Sequence, residues 1–270
     1  MPTSLTDERV ETNLGKQQVF RGGRGTPLVY LHSATGESAL APAVLEDLAD
    51  SYDVVAPVFP GFGESEGIEK IDGPEDAAFH LLDVIDQLGL ERPALMGMSF
   101  GGWMAAELAC RWPDRVSRLV LVNAVGLHLD DAPIKEIFGR DPGELAEDLF
   151  ADQEHPLAQA MHQMSTLSQM AAEIPFDLIK PVLQSLAATA RVGWNPYLHN
   201  PKLPQRLYRV TVPALVVRGS DDRLVPAAHA DRWVTLLPDA RRADVAGAGH
   251  LVALEKPAEL AALAREFLSS

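Results

Sequence analysis

One serine lies in a sequence context that turns a hydroxyl group into a nucleophile. Residues 97–101 read Gly-Met-Ser-Phe-Gly, a Gly-x-Ser-x-Gly motif centred on Ser99. An apolar run precedes the motif at Pro93–Met96, and helix-forming residues follow it at Trp103–Leu108. A serine in a sharp strand-to-helix turn stands exposed at the edge of a sheet, before a helix N-terminus that favours negative charge. The motif therefore predicts Ser99 as the nucleophile of a covalent reaction.

The chain also supplies a base and an acid for this serine, both in loops that follow predicted strands. A serine hydroxyl needs a base to take its proton, and an imidazole base needs a carboxylate to orient it. His250 follows the glycine-rich residues 247–249 and is the predicted base. Asp221 and Asp222 are adjacent, so in an extended turn only one of them can reach the imidazole. The pattern Gly-x-x-Asp-x-x-x-Pro favours Asp222, which leaves Asp221 as a solvated or capping neighbour.

These residues need a fold that gathers loops from distant parts of the chain. Short apolar runs alternate with helical segments, and continuous apolar runs are typical of parallel strands buried on both faces. The pattern predicts an α/β fold with a mostly parallel, doubly wound sheet and the reactive residues at the carboxyl ends of its strands. The predicted strands include Leu28–Leu31, Asp53–Ala56, Pro93–Met96, Arg118–Val122 and Ala214–Gly219.

The strand pattern stops in the middle of the chain. From about Gly126 to Pro204 only helical segments punctuated by prolines occur. We therefore predict an inserted helical lid at residues 126–204, set into a core domain of residues 1–125 and 205–270. Some apolar residues of this lid should face a substrate, because methionine and aromatic side chains line adaptable pockets.

Composition excludes several classes of function. The chain has 270 residues, 47% of them hydrophobic, and 38 acidic against 23 basic residues give a net charge of −15. Such a surface disfavours nucleic acid and anionic membranes as partners. Cys110 is the only cysteine, so neither a disulfide framework nor a cysteine-based metal site is expected. We expect no cofactor, a small-molecule substrate, and a monomer or homodimer. Without a signal-peptide pattern at the N-terminus, a cytoplasmic location is expected.

Several of these segments together resemble the α/β-hydrolase family over nearly the whole chain. The order nucleophile, acid, histidine is that of the family, and the resemblance extends to its esterase and meta-cleavage-product hydrolase branch. It implies the α/β-hydrolase fold with a helical lid. The segments that carry the resemblance are His32 at a strand end, Pro60–Ser65, residues 97–101, Gly219–Asp222 and Gly249–His250.

The resemblance also implies an oxyanion hole made of two backbone N–H groups, those of Phe100 and Ala34. His32 would then support the oxyanion loop rather than act as the base. Two positions depart from the family pattern, because Ser33 replaces a usual glycine and Val58 stands where an aspartate often precedes the Pro-Gly turn. The predicted substrate pocket combines residues of loops and lid: His32, Ser33, Met161, Met164, Trp194 and Leu251.

The resemblance leaves three functions open. We favour a carboxylic-ester hydrolase acting on small or medium apolar acyl or aryl esters through an acyl-enzyme. A carbon–carbon bond hydrolase of aromatic ring-fission products is the alternative, although such enzymes usually have an aromatic residue at the position of Leu251 and a glycine-rich loop at residues 33–35. A non-catalytic homologue that binds a small ligand is the third, and an intact Ser99, Asp222 and His250 argue against it.

Overall fold

The fold is organised around one sheet of eight strands. The computed structural model describes residues 4–40, 43–164 and 176–270. The strands are β1 (Thr6–Thr12), β2 (Gly15–Gly23), β3 (Pro27–Leu31), β4 (Asp53–Pro57), β5 (Ala94–Met98), β6 (Leu119–Val122), β7 (Ala214–Gly219) and β8 (Ala240–Val245). They lie in the order β1-β2-β4-β3-β5-β6-β7-β8. β1 and β2 form an antiparallel hairpin, and all pairs among β3 to β8 are parallel. The predicted fold class is confirmed.

Helices cover this sheet and connect its parallel strands. The helices are α1 (Ala43–Ala49), α2 (Pro74–Gln87), α3 (Phe100–Arg111), α4 (Pro142–Leu149), α5 (Pro156–Gln163), α6 (Phe176–Gly193), α7 (Ala227–Leu236), α8 (Val252–Glu255) and α9 (Pro257–Ser269). Short 3₁₀ helices lie at Glu37–Leu40, Ile68–Lys70, Pro113–Arg115 and Leu207–Arg209. Every residue of β5 and β6 is buried, because helices pack on both faces of the central strands. None of the described helices is both long and apolar enough to cross a membrane.

The residues between β6 and β7, here called the helical insertion, carry α4, α5 and α6. Its described residues contain one isolated bridge, between Gly126 and His199, and otherwise no strand pairing. Arg191 of α6 ties the insertion to the loop before α2, because its Nε donates to the carbonyl of Ile71 at 2.6 Å. The insertion occupies the place of the predicted lid, and the division of the chain at 126 and 204 stays a prediction.

Helix α2 buries a histidine on the face that it packs against the core. His80 is 3% exposed, and its ring lies 6.4 Å from the ring of Phe59, centroid to centroid. Burial lowers the pKa of His80 from 6.5 to about 4, because the charged imidazolium loses its hydration there. The folded protein therefore holds His80 neutral at pH values where the unfolded chain protonates it.

We expect this histidine to make the fold sensitive to acid. Because the folded pKa lies below the unfolded one, the stabilisation is present above pH 6.5 and is lost as the pH falls toward 4. Over that window the wild type should lose up to about 3 kcal/mol more unfolding free energy than His80→Gln, measured by urea denaturation. His128→Gln, at a histidine whose side chain is 55% exposed, is the matched control. An equal pH dependence of wild type and His80→Gln would contradict the prediction.

Candidate active site

The turn between β5 and α3 holds Ser99 in a backbone conformation that few residues adopt. Its φ is 54° and its ψ −113°, and it caps the N-terminus of α3. The turn is this sharp because β5 contacts α3 at Gly97, and α3 contacts the end of β3 at Gly101. A Cβ on Gly97 would lie 2.3 Å from the carbonyl oxygen of Gly101, and one on Gly101 would lie 2.1 Å from that of Leu31. Only glycine fits at both positions. These close approaches therefore explain why a glycine lies two residues before and two residues after Ser99.

Ser99, His250 and Asp222 form a hydrogen-bonded row. The Ser99 Oγ lies 2.8 Å from the His250 Nε2, and the His250 Nδ1 lies 2.9 Å from the Asp222 Oδ2. The other carboxylate oxygen of Asp222 accepts the N–H groups of Leu224 and Val225, each at 2.9 Å. Because the Nδ1–H of His250 donates a hydrogen bond to Asp222, Nε2 carries no proton and can accept that of the serine. All three side chains are buried.

The structure also separates the two adjacent aspartates. Asp221 is exposed, and its Oδ2 accepts a hydrogen bond from the Ser220 hydroxyl at 3.1 Å. Its backbone N–H donates to the carbonyl of Ala248 at 2.9 Å. Of the two candidates, the geometry therefore brings Asp222 to the histidine.

The two predicted oxyanion donors lie at the same cavity as Ser99 and His250. Phe100 is the first residue of α3, where a backbone N–H has no partner within the helix. Ala34 follows Ser33 in a turn closed by the bond from the Gly36 N–H to the Ser33 carbonyl at 3.1 Å. In the part of the chain that the structure describes, the Ala34 N–H donates to no protein group. Both N–H groups are therefore available to an oxygen atom in the cavity.

His32 lies behind this loop and does not reach the cavity. Its Nδ1–H donates to the Ser33 carbonyl at 2.7 Å, and its Nε2 accepts the N–H of Phe59 at 2.9 Å. Burial lowers the pKa of His32, so the ring is neutral and keeps one donor and one acceptor nitrogen. Its supporting role stays a prediction, and it is not a lining residue of the cavity.

The cavity at Ser99 is small and apolar. The volume of the cavity is about 70 Å³. Its described lining contains no lysine, arginine, aspartate or glutamate, and its polar groups belong to the loop and the triad: Ser33, Thr35, Ser99 and His250. The remaining lining is Ala34, Phe100, Val125, Ile137, Leu145, Leu149, Leu186, Leu198, Leu224 and Leu251.

Of the six residues predicted to line the substrate pocket, the structure places Ser33 and Leu251 at this cavity. Besides His32, the structure places three lid residues outside the cavity. Trp194 is 63% exposed, with its ring centroid 5.3 Å from that of Phe138. Met161 packs against the core cluster and Met164 ends α5. Leucines of α4 and α6 line the cavity instead, because helical spacing shows which residues share a face but not which face turns inward.

Sequence reasoning missed Asn123, which joins the acid loop to the histidine loop. It follows β6 directly, and its Nδ2 donates to the carbonyls of Gly249 and His250 at 3.1 and 2.8 Å. Its Oδ1 accepts the N–H of Gly219 at 3.0 Å. A signal was present, because a polar residue immediately after an apolar parallel strand lies at the same sheet edge as Ser99.

Sequence reasoning also missed Glu255, which joins the histidine loop to the helical insertion. Its Oε2 accepts the N–H of Gly249 at 2.7 Å. Its Oε1 accepts the N–H groups of Ala151 and Asp152, each at 2.8 Å, just after α4. No sequence pattern identifies this contact.

Within the described ranges, no group of three or more histidine, cysteine or acidic residues has the arrangement of a metal site.

Residues 26–257 match a protein family described as alpha/beta hydrolase fold. The chain is 32% identical over 93% of its length to a polyketide synthase of Burkholderia thailandensis, of which it spans only 12%. It is 29% identical to 2-hydroxy-6-oxo-2,4-heptadienoate hydrolase of Pseudomonas putida, over 97% of this chain and 94% of that protein. The solved structure of naproxen esterase from Bacillus subtilis has a TM-score of 0.75 and 21% identity, covering 99% of this chain and 92% of that one.

The two aspartates provide a matched pair of variants. Asp222→Asn should lower the turnover of an activated ester by about a thousandfold or more, because the amide favours the wrong tautomer of His250. Asp221→Asn should leave turnover nearly unchanged, since this exposed carboxylate does not contact the imidazole. Steady-state kinetics of both variants check the prediction, and the reverse order would assign the role of the acid to Asp221.

Asn123→Asp tests the link between the two loops. The variant keeps an acceptor for the Gly219 N–H but points an oxygen at two carbonyls, and it tolerates the left-handed backbone of Asn123 at φ 45°. Leaving the buried carbonyls of Gly249 and His250 without a donor costs about 1–3 kcal/mol, and we expect the histidine loop to shift in response. Turnover should therefore fall by about tenfold.

The matched control for this variant is Asn200→Asp. The Asn200 Nδ2 donates to Glu107 at 2.8 Å, a contact between the insertion and α3 that does not involve the triad. Both variants should lower the thermal midpoint, and only Asn123→Asp should lower turnover. Equal loss of turnover in both variants would show that the effect is general destabilisation.

Proposed function

The chain belongs to the α/β-hydrolase family, and on that premise we propose that it hydrolyses neutral carboxylic esters through a covalent acyl-enzyme. The observation that carries the proposal is the unbroken row from Ser99 through His250 to Asp222, at the wall of an uncharged apolar cavity. A nucleophile, a base and an orienting acid are the complete set that acyl transfer requires.

In the first half of the reaction, the Ser99 Oγ attacks the ester carbonyl carbon while its proton passes to the His250 Nε2. Asp222 stabilises the imidazolium through Nδ1. The carbonyl oxygen becomes an oxyanion and accepts the N–H groups of Ala34 and Phe100, aided by the N-terminal end of α3. The C–O bond to the leaving alcohol then breaks, and the alcohol takes the proton from His250.

In the second half, water replaces the alcohol. His250 takes a proton from the water as its oxygen attacks the acyl carbon, and the same two N–H groups hold the second oxyanion. The bond to the Ser99 Oγ breaks, and Ser99 regains a proton from His250. The products are a carboxylic acid and the free enzyme, so the cycle needs no cofactor.

The lining of the cavity favours a neutral, apolar acyl or aryl group of small to medium size. Eight aliphatic side chains form most of its wall, two of them, Leu145 and Leu149, from α4 of the helical insertion. Transfer of an apolar group from water to such a wall is favourable, whereas an unpaired charge there would lose its hydration. The cavity thus selects by size and polarity.

Carbon–carbon bond hydrolysis is the second candidate, favoured by the similarity to the heptadienoate hydrolase of Pseudomonas putida. A dienoate carries a carboxylate, and binding it in a dry cavity calls for a cation or several hydrogen-bond donors. No lysine or arginine lines the described part of this cavity. We therefore rank the ester first.

A fluorophosphonate and a substrate panel test the proposal together. Ser99 should displace fluoride from phosphorus and gain one phosphonyl mass adduct, which Ser99→Ala should not acquire. p-Nitrophenyl esters from acetate to octanoate should be hydrolysed, with preference for the shorter acyl groups that a small cavity accepts. Turnover of a ring-fission dienoate without ester hydrolysis would replace the ester proposal with its alternative. Absence of any adduct in folded protein would favour a ligand-binding homologue.

A further inference from the structure

A buried carboxylate lies directly behind the oxyanion loop, and the mechanism above does not use it. Glu37 begins the 3₁₀ helix after the loop and has no solvent exposure. In the described part of the chain, no lysine, arginine or histidine forms an ion pair with it. A carboxylate buried away from any cation must be compensated by hydrogen-bond donors. Its donors therefore show what it holds in place.

Four donor groups surround Glu37, and three of them belong to the oxyanion loop. The Ser33 N–H lies 2.9 and 3.0 Å from its two oxygens, and the Ser33 hydroxyl donates to Oε2 at 2.6 Å. The Thr35 hydroxyl donates to Oε2 at 3.0 Å. The fourth donor, the Tyr30 hydroxyl on β3, lies 3.0 Å from Oε1. Ala34, the predicted oxyanion donor, thus lies between two residues that are both bound to one carboxylate.

The Ser33 side chain contributes a further constraint that glycine at this position would lack. Its Oγ accepts the Thr35 N–H at 3.1 Å and lies 2.8 Å from the Thr35 hydroxyl. The loop backbone on either side of Ala34 is therefore fixed through side chains, in addition to the turn that Gly36 closes. Ala34, which lines the cavity, thus has both of its neighbours held by side-chain hydrogen bonds.

We propose that Glu37 is a positioning residue that, through Ser33 and Thr35, aims the Ala34 N–H at the oxyanion. This inference rests on the proposed acyl transfer at Ser99. An oxyanion donor accelerates the reaction only when it is aimed where charge develops, and a displacement of about 1 Å can cost about a hundredfold in rate. Glu37 acts before the reaction, by removing the freedom of the loop.

Three variants separate positioning from simple stabilisation. Glu37→Gln replaces one acceptor oxygen by an NH₂ group that faces donors, and Ser33→Ala removes the hydroxyl group that donates to the carboxylate and accepts the Thr35 N–H. Tyr30→Phe is the matched control, because it removes one hydrogen bond from the same carboxylate on the side away from the loop. The substrate is p-nitrophenyl butyrate, and thermal midpoints are measured alongside kcat and KM.

We expect Glu37→Gln and Ser33→Ala to lower kcat by about tenfold to a hundredfold with a smaller change in KM, and Tyr30→Phe to leave kcat unchanged. Lower thermal midpoints in all three variants with unchanged kcat would overturn the inference. A rise in KM without a change in kcat would also overturn the inference, since it would show that Ser33 only contacts the substrate. Should Glu37→Gln fail to fold, the comparison of Ser33→Ala with Tyr30→Phe decides alone.

The rate of fluorophosphonate labelling distinguishes failure of this inference from failure of the proposed function. Labelling needs Ser99 and the oxyanion donors but no natural substrate. Slower labelling in the two loop-side variants would support the inference even if no ester is turned over. Equal labelling rates in wild type and variants would overturn it while Ser99 remains a nucleophile. A wild type that is never labelled would overturn both.

Discussion

The contact between β5 and α3 is the constraint on which the rest of the site depends. A side-chain carbon at Gly97 in β5 would overlap the backbone of Gly101 in α3, and one at Gly101 would overlap the backbone of Leu31 at the end of β3. The serine between these two glycines is therefore held at a positive φ, with its hydroxyl at the sheet edge and the helix N-terminus beside it. Every other group of the site is brought to this one fixed point. The strain at Ser99 persists because the packing on both sides determines it.

The sequence predicted well whatever follows from the topology of a parallel sheet. Ser99 follows β5, the Asp222 loop follows β7 and the His250 loop follows β8, and carboxyl ends of parallel strands share an edge. Chain distance is irrelevant to this rule, so a separation of 151 residues between serine and histidine did not hide their contact. Asn123 directly follows β6, so the same rule could have predicted that it lies at this edge of the sheet.

The sequence failed where a side chain's role depends on packing that has no periodic pattern. Met161 and Met164 were predicted to line the pocket, but leucines of α4 and α6 line the cavity instead. Glu37 is hidden for another reason. A glutamate in a short polar loop is usually solvated, and only the fold reveals that Ser33, Thr35 and Tyr30 all donate to it in a dry interior.

The histidine loop shows why the base and the cavity wall behave as one unit. One carboxylate oxygen of Glu255 accepts the N–H of Gly249. The other oxygen accepts the N–H groups of the two residues just after α4, Ala151 and Asp152. The N–H of Leu251 also donates to the carbonyl of Leu149 at 3.1 Å. Leu149 and Leu251 both line the cavity, on either side of this bond. A displacement of α4 by a bulky acyl group would therefore be transmitted through backbone hydrogen bonds to the residue next to the base. For the proposed ester hydrolysis, the size of the substrate is thus coupled to the alignment of His250, so a poorly fitting ester should lose reaction rate as well as binding.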